Sequence, residues 1–293
     1  MRTKPTELFT ISKGQFGFSL IELVIVIVIT GILASMTASV LQLPIQAYVD
    51  STRRAALTDN AESALRRMQR DIRRALPNSI RISATGDTIE LLHLIDGGRY
   101  RAMTDNSPTT PPSPPRGDIL NFDIADTSFD VLGGLNNVTA LSVKAAPPVQ
   151  NDRVAIYPLN STGNNPYAGD NTSVITAAST DSLTFDAFQF PLKSPNQRFF
   201  IIDTPITYRC DTTAAATNDR TLLRYANYPI QAAQPLPPAV APAIQSNQIA
   251  NCSFTYNSGS STRSAVVTIE LTLTDEANES ISLIHQVHLD NQP

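Results

Sequence analysis

Hydrophobic and polar positions follow one pattern after another along this chain. Over residues 20–43 almost every side chain is apolar or small, and between Phe18 and Val49 Glu22 is the only charged group. A helix rises 1.5 Å per residue, so about 20 such residues cross the hydrocarbon core of a bilayer. The run predicts a membrane-spanning helix. Arg2, Lys4 and Lys13 precede it, and a basic flank on that side keeps the N-terminus in the cytoplasm with the bulk of the chain outside. From Leu57 the apolar positions thin to one in three or four: Leu57, Ala61, Leu65, Met68, Ile72 and Leu76. That is the stripe of an amphipathic helix. Pro44 lies between the two stretches. It lacks a backbone donor and crowds the preceding turn, which predicts a kink or local break over residues 39–44. Pro77-Asn78 predicts the end of the helix.

Beyond Ile80 the period changes to two. Residues 88–94 (TIELLHL), 119–124 (ILNFDI), 138–143 (VTALSV), 183–188 (LTFDAF) and 198–202 (RFFII) read as strands. Val267, Ile269, Leu271 and Leu273 alternate with polar residues. After the turn sequence DEANE at 275–279, Ile281, Leu283, Val287 and Leu289 continue the apolar face, so a C-terminal antiparallel hairpin is expected. The proline-rich stretches 108–115 and 229–242 are expected to be surface loops, because proline donates nothing to a ladder. The fold class is therefore α+β: a long N-terminal helix, apolar then amphipathic, followed by an antiparallel β-rich head.

Charge and composition narrow the function. Charged residues make up 16% of the chain, below the usual quarter. Residues 1–76 hold ten Lys/Arg and six Asp/Glu, and the remainder twelve and twenty. An acidic head gives no reason to expect nucleic-acid binding. The helix carries Arg53, Arg54, Arg66, Arg67, Arg70, Arg73 and Arg74 off its apolar stripe; a solvated face is expected, with Glu62–Arg66 and Arg67–Asp71 pairing at i,i+4. The only cysteines, Cys210 and Cys252, belong to no CxxC pair. In an exported chain they read as one disulfide, the alternative being two buried thiols; the bridge would be worth up to ~4 kcal/mol in the chain-entropy estimate.

Candidate chemistry is sparse. The sequence has no H-E-x-x-H, G-x-S-x-G or phosphate-binding glycine loop. His285 and His288 would point to opposite faces of a strand and cannot share a metal, and His285 is expected to be a satisfied core histidine. His93 has no acid–base partner nearby in sequence. Asp123, Asp126 and Asp130, and Asp170 with Asn171, could offer calcium oxygens, but their spacing fits no known loop. Tryptophan is absent and aromatics are 6%, so no lectin-like platform is visible. No enzyme activity, metal or cofactor is expected.

The acid inside the apolar run stays unexplained by these patterns. A charge at mid-bilayer costs on the order of 2.5–3.5 kcal/mol. A secretory signal has a shorter apolar core and a small-residue cleavage site, which this run lacks. However, Gly17 followed by Phe18-Ser19-Leu20-Ile21-Glu22-Leu23 resembles the type IV prepilin signature. The resemblance implies cleavage by a prepilin peptidase between Gly17 and Phe18, N-methylation of Phe18, and an assembly role for Glu22. Its carboxylate would pair with the cationic amine of a neighbouring subunit in the filament, near a helix N-terminus that also favours an anion. Gly31, Ser35 and Ser39, with Ala34 and Ala38, recur at a spacing that lets helices approach closely, though small residues are also ordinary in membrane spans.

The resemblance divides the chain into a leader (1–17), a transmembrane assembly helix (18–43), an amphipathic helix (44–76) and a periplasmic head (77–293). It implies an inner-membrane protein with a single span, later carried into a pilus, where the tip is one candidate position. The partners would be prepilin peptidase, other minor pilins and the major pilin, the inner-membrane assembly platform and membrane lipid. Residues 68–79 (MQRDIRRALPNS), 205–210 (PITYRC), 251–256 (NCSFTY) and 285–291 (HQVHLDN) resemble the MshO group of minor pilins of mannose-sensitive haemagglutinin (MSHA) pilus biogenesis. A minor pseudopilin of a type II secretion system and a pilus-tip adhesin are the competing readings.

Overall fold

A long helix, apolar at its first end but for Glu22, is the first element of the computed structural model, which describes residues 17–104, 117–141, 152–258 and 264–289; side chains at 38–43 and 140 are outside that description. The proline-rich stretch 108–115 and the basic residues before Gly17 therefore lie outside it too. The chain divides into two units, Met1–Thr52 and Arg53–Pro293. The helix α1 (Leu20–Arg73) is assigned continuously, Pro44 included. It ends three residues before the predicted end. Ala75 already bridges to His93, and Leu76 N–H donates to the Leu92 carbonyl at 2.8 Å, so the chain has joined the sheet before Pro77 can act.

The second unit is α+β. Its strands are β1 (Arg81–Ile82), β2 (Thr88–Tyr100), β3 (Asp126–Leu132), β4 (Arg153–Ile156), β5 (Thr172–Ala178), β6 (Ser182–Phe188), β7 (Arg198–Asp211), β8 (Thr221–Tyr225), β9 (Ala243–Asn247), β10 (Ile249–Asn257), β11 (Ala265–Thr274) and β12 (Ser280–Leu289). Nine of them form one sheet in the order β1-β2-β3-β6-β5-β4-β7-β8-β9, and β10-β11-β12 form a second. Every pairing is antiparallel.

The long strands β2 and β7 also pair with each other, and this gives the head its two main cores, beside two smaller clusters. Residues 88–92 of β2 face residues 205–209 of β7; after a register shift, residues 94–99 face 198–202. In the second half, β2-β3-β6-β5-β4-β7 close into a ring. Alternate side chains of each strand fill it: Phe129 and Val131, Val154 and Ile156, Leu183 and Phe185, Phe199 and Ile201. The Phe129 and Phe199 rings meet edge to face at 5.1 Å. Gly97 permits the close β2–β7 approach, since a Cβ there would come 2.9 Å from the Phe199 carbonyl oxygen.

The first half of the ribbon belongs to the other core. Leu57, Ala61, Leu65, Met68 and Ile72 of α1 pack with Ile89, Leu91, Ile206 and Tyr208 of one sheet and with Phe254, Val267, Ile269, Leu271 and Val287 of the other. The predicted stripe is thus the seam that joins the two sheets. Asp71 fastens it: its Oδ2 accepts from the Tyr208 hydroxyl at 2.7 Å and from Arg224 Nε at 2.8 Å. The expected Arg67–Asp71 pair is replaced by these contacts, and Arg67 instead reaches Gln245 Oε1 at 2.9 Å. Glu62–Arg66 forms as expected.

Strands 88–94, 183–188 and 198–202 and the C-terminal hairpin are present, the last with Thr274 opposite Ser280 at its tip. Two predicted strands are not. Over 119–124 the backbone donors are taken by side chains: Asn121 N–H by Asp126 Oδ2 at 2.7 Å and Asp123 N–H by Asn121 Oδ1 at 2.9 Å. Such local bonds compete with a ladder. At Val138–Ala140 a 3₁₀ turn forms, preceded by Asn136 and Asn137 N–H groups held by Asp96 Oδ2 at 3.1 and 3.0 Å. Ser142 and Val143 fall outside the described residues.

Candidate functional site

Gly17, Phe18 and Ser19 form the extended lead into α1, and all three are exposed. The helix begins at Leu20 because Ser19 caps it. Glu22 N–H donates to Ser19 Oγ at 3.2 Å, and Leu23 N–H to the Ser19 carbonyl at 3.1 Å. Ser19 is the N-cap and Glu22 the third helical residue, the S-x-x-E spacing of a capping box. Glu22 is therefore placed by helix-start chemistry as well as by the motif around it. The signal was readable in the sequence, but the four residues were read there only for their resemblance to a processing motif.

From this start the helix offers one continuous apolar surface. Leu20–Thr37 is long and apolar enough to cross a membrane. Its large side chains are exposed, Phe18 at 81% ahead of them. Two hydroxyls inside the run are bonded within the helix: Ser35 Oγ donates to the Ile32 carbonyl and Thr37 Oγ1 to that of Leu33, both at 2.8 Å. This matters in hydrocarbon, where an unpaired polar group costs several kcal/mol. Among the described residues with side chains here, Glu22 is the charged exception. Of the small-residue series, Ala38 and Ser39 lie outside the described side chains.

Residues 12–38 match the family model for a prokaryotic N-terminal methylation motif. With the apolar helix and the β-rich head, this supports a type IV pilin-like or pseudopilin protein. The match covers the N-terminal segment alone; no curated protein and no solved structure matches the chain.

The head supplies the remaining candidates. Cys210 on β7 and Cys252 on β10 form a disulfide with Cα atoms 6.1 Å apart, tying the two sheets together inside the core shared with α1. Among the described residues, no group of three or more His, Cys, Asp or Glu is placed to hold a metal. Asp126 and Asp130 instead accept backbone N–H groups, Asp130 also facing Arg101 Nε at 3.1 Å, and Asp170 accepts from Asn165 N–H at 3.2 Å. His93 has the partner that its sequence neighbours lack: Asp203, across the β2–β7 ribbon, with Nδ1–Oδ1 at 3.0 Å. His285 turns toward α1 and His288 away, as alternation requires. His285 is not satisfied, however; its Nε2 is buried with no hydrogen-bond partner.

A buried ionic cluster also went unread. Glu90 is fully buried, although period two places it opposite Ile89 and Leu91. It meets Arg81 Nε at 2.8 Å and accepts from the Tyr228 hydroxyl at 3.0 Å. Arg81 stacks 3.6 Å over the Tyr167 ring, and its two Nη atoms donate to the carbonyls of Ala232 and Gln231. The cluster thus holds the proline-rich loop 229–242 against the sheet. Burial raises the Glu90 carboxyl above its usual value, opposed by Arg81 and Tyr228. Each charge has a partner that is spent on structure.

Proposed function

We propose that this protein is a minor pilin-like structural subunit for assembly or initiation of a type IV pilus of the MSHA type. It is made as a prepilin and anchored in the inner membrane by α1, with its head in the periplasm. Prepilin peptidase cuts between Gly17 and Phe18, and Phe18 is then N-methylated. Glu22 pairs with an N-terminal amine when the helix leaves lipid for a bundle of pilin helices, and Pro44 is the point at which the helix bends. The carrying observation is the methylation motif over residues 12–38, set on a capped, exposed apolar helix. A head with two cores is large for a subunit that repeats at every filament position, which favours sparse or terminal placement beside other minor pilins and the major pilin.

The same motif supports a minor pseudopilin of a type II secretion system equally well. Gene deletion separates the two: loss of surface pili with secretion intact supports the pilus reading, and the converse overturns it. Processing is tested by mass spectrometry of the membrane-extracted protein. The expected N-terminus is methylated Phe18, shifting to the unprocessed chain when prepilin peptidase is deleted. A mature terminus elsewhere would sink the prepilin reading.

A further inference from the structure

The pattern N-x-S/T, with x not proline, presents an asparagine amide for glycosylation. It occurs at Asn137, Asn160, Asn171, Asn251 and Asn278. The fold sorts these positions. Asn171 is fully buried, and its Nδ2 donates to the Ile156 carbonyl at 3.2 Å. Asn251 lies in β10 opposite Thr272; the bridged Cys252 follows it, and Ser253 Oγ donates to Glu270 Oε2 at 3.1 Å. Asn137, Asn160 and Asn278 are exposed. Asn278 alone has an acid two positions ahead, Glu276, where the others have Leu135, Pro158, Gly169 and Ile249.

Asn278 stands in the turn at the tip of the β11–β12 hairpin, and Asp275 builds that turn. The Asp275 carbonyl accepts from Asn278 N–H at 3.1 Å, and its Oδ1 from Ala277 and Glu279 N–H, both at 2.9 Å. The turn is also held to α1, with Arg54 Nε 2.6 Å from Glu279 Oε1. Asn278 takes the left-handed conformation, φ 62°, which asparagine adopts more readily than most residues. Its backbone is thus committed to the turn while its side chain is not. Among the described residues no hydrogen bond engages the Asn278 amide or the Ser280 hydroxyl. Glu276, Asn278 and Ser280 are all exposed.

We propose that Asn278 is an N-glycosylation site, loaded by a membrane oligosaccharyltransferase from a polyprenyl-diphosphate-linked oligosaccharide. Asn278 Nδ2 bonds to the anomeric carbon of the first sugar, and the bond from that carbon to the diphosphate oxygen breaks. The lipid diphosphate leaves, and the amide gives one proton to a base of the transferase; nothing is oxidised or reduced. One exposed turn supplies what the reaction needs. The amide is reachable and is spent on no bond of the fold. The Ser280 hydroxyl completes the recognised pattern, and the Glu276 carboxylate offers a charge-assisted contact to a cationic transferase site. A glycan is bulky and solubilising, and at a hairpin tip it displaces no packed side chain. The inference rests on the reading that the head lies in the periplasm.

The test is tandem mass spectrometry of the full chain extracted from the membranes of its own cells. The peptide that holds Asn278 should carry the added mass of an oligosaccharide, and the mature N-terminus in the same sample reports processing independently. Asn278→Gly, which suits the positive φ, and Ser280→Ala should each lose the glycan, and Glu276→Gln should lower its occupancy. Circular dichroism matching the parent shows that each variant is folded. A bare Asn278 overturns the proposal whatever the N-terminus. A glycan on Asn137 or Asn160 in its place, or unchanged occupancy in any of the three variants, overturns it too. An unprocessed N-terminus overturns the prepilin reading instead, whatever Asn278 carries.

Discussion

Ser19 and Glu22 show how much one short stretch does. The cap fixes where the helix starts, and with it the place of Glu22 in the first turn. Two roles for Glu22 predict different variants. If its charge registers one subunit against another, Glu22→Ala and Glu22→Gln should both insert and be processed normally but give few pili, with Glu22→Asp between. If capping is the main role, Glu22→Gln should assemble like the parent, because a glutamine still completes the box. Pilus counts with immunoblots for processed protein decide between them. Glu90 makes a second prediction at this scale. Its carboxyl is raised by burial, so the folded head holds that proton more tightly than the unfolded chain does. This contribution to stability is fully present below the ordinary carboxylate range and is lost as pH rises through the raised value. Urea midpoints of parent and Glu90→Gln, compared from pH 4 to 7, should show the parent losing ground as pH rises. A constant difference would refute the sign.

At the scale of elements, the amphipathic half of α1 works as a seam. Its apolar stripe is shared by two sheets, and the Cys210–Cys252 bridge joins those sheets within the same core. Cys210→Ser should cost up to ~4 kcal/mol by the chain-entropy estimate. Denaturant midpoints should fall for this variant, and the parent should fall to match it only when reductant is present. Little change would mean that the helix alone holds the sheets. The arginines off the stripe, by contrast, are surface groups whose separate ion pairs contribute little, typically 0–1 kcal/mol each.

For the whole molecule the consequence is a head with two cores linked by one long ribbon. Phe129 is fully buried in the ring-shaped half, against Phe185 and Phe199. Phe129→Ala should cost about 3–5 kcal/mol. Because proteins open in cooperative parts, hydrogen exchange should speed up in β3–β6 well before β10–β12. Uniform loss of protection would show that the two cores unfold as one.

The sequence by itself determined whatever rests on neighbours along the chain. The apolar run, the three-to-four stripe from Leu57 to Ile72, and the alternation of the C-terminal hairpin are all periodic or local signals, and they stand in the structure as read; the S-x-x-E start is equally local, but only the structure showed it as a cap. The cysteine pair was legible from its count once the chain is read as exported. Tertiary structure decided the rest. Period two cannot tell a strand covered on one face from one covered on both, so nothing in the alternation marked Glu90 as buried. The ring closes through β2 against β7, partners about a hundred residues apart in sequence, and no local pattern encodes that pairing; His93 and Asp203, 110 positions apart, meet for the same reason. At 119–124 the alternation was real, but Asn121 and Asp126 bound the backbone donors a ladder would have needed. The end of α1 was set three residues early by a sheet contact, because a bridge to β2 satisfies the backbone before proline forbids the helix.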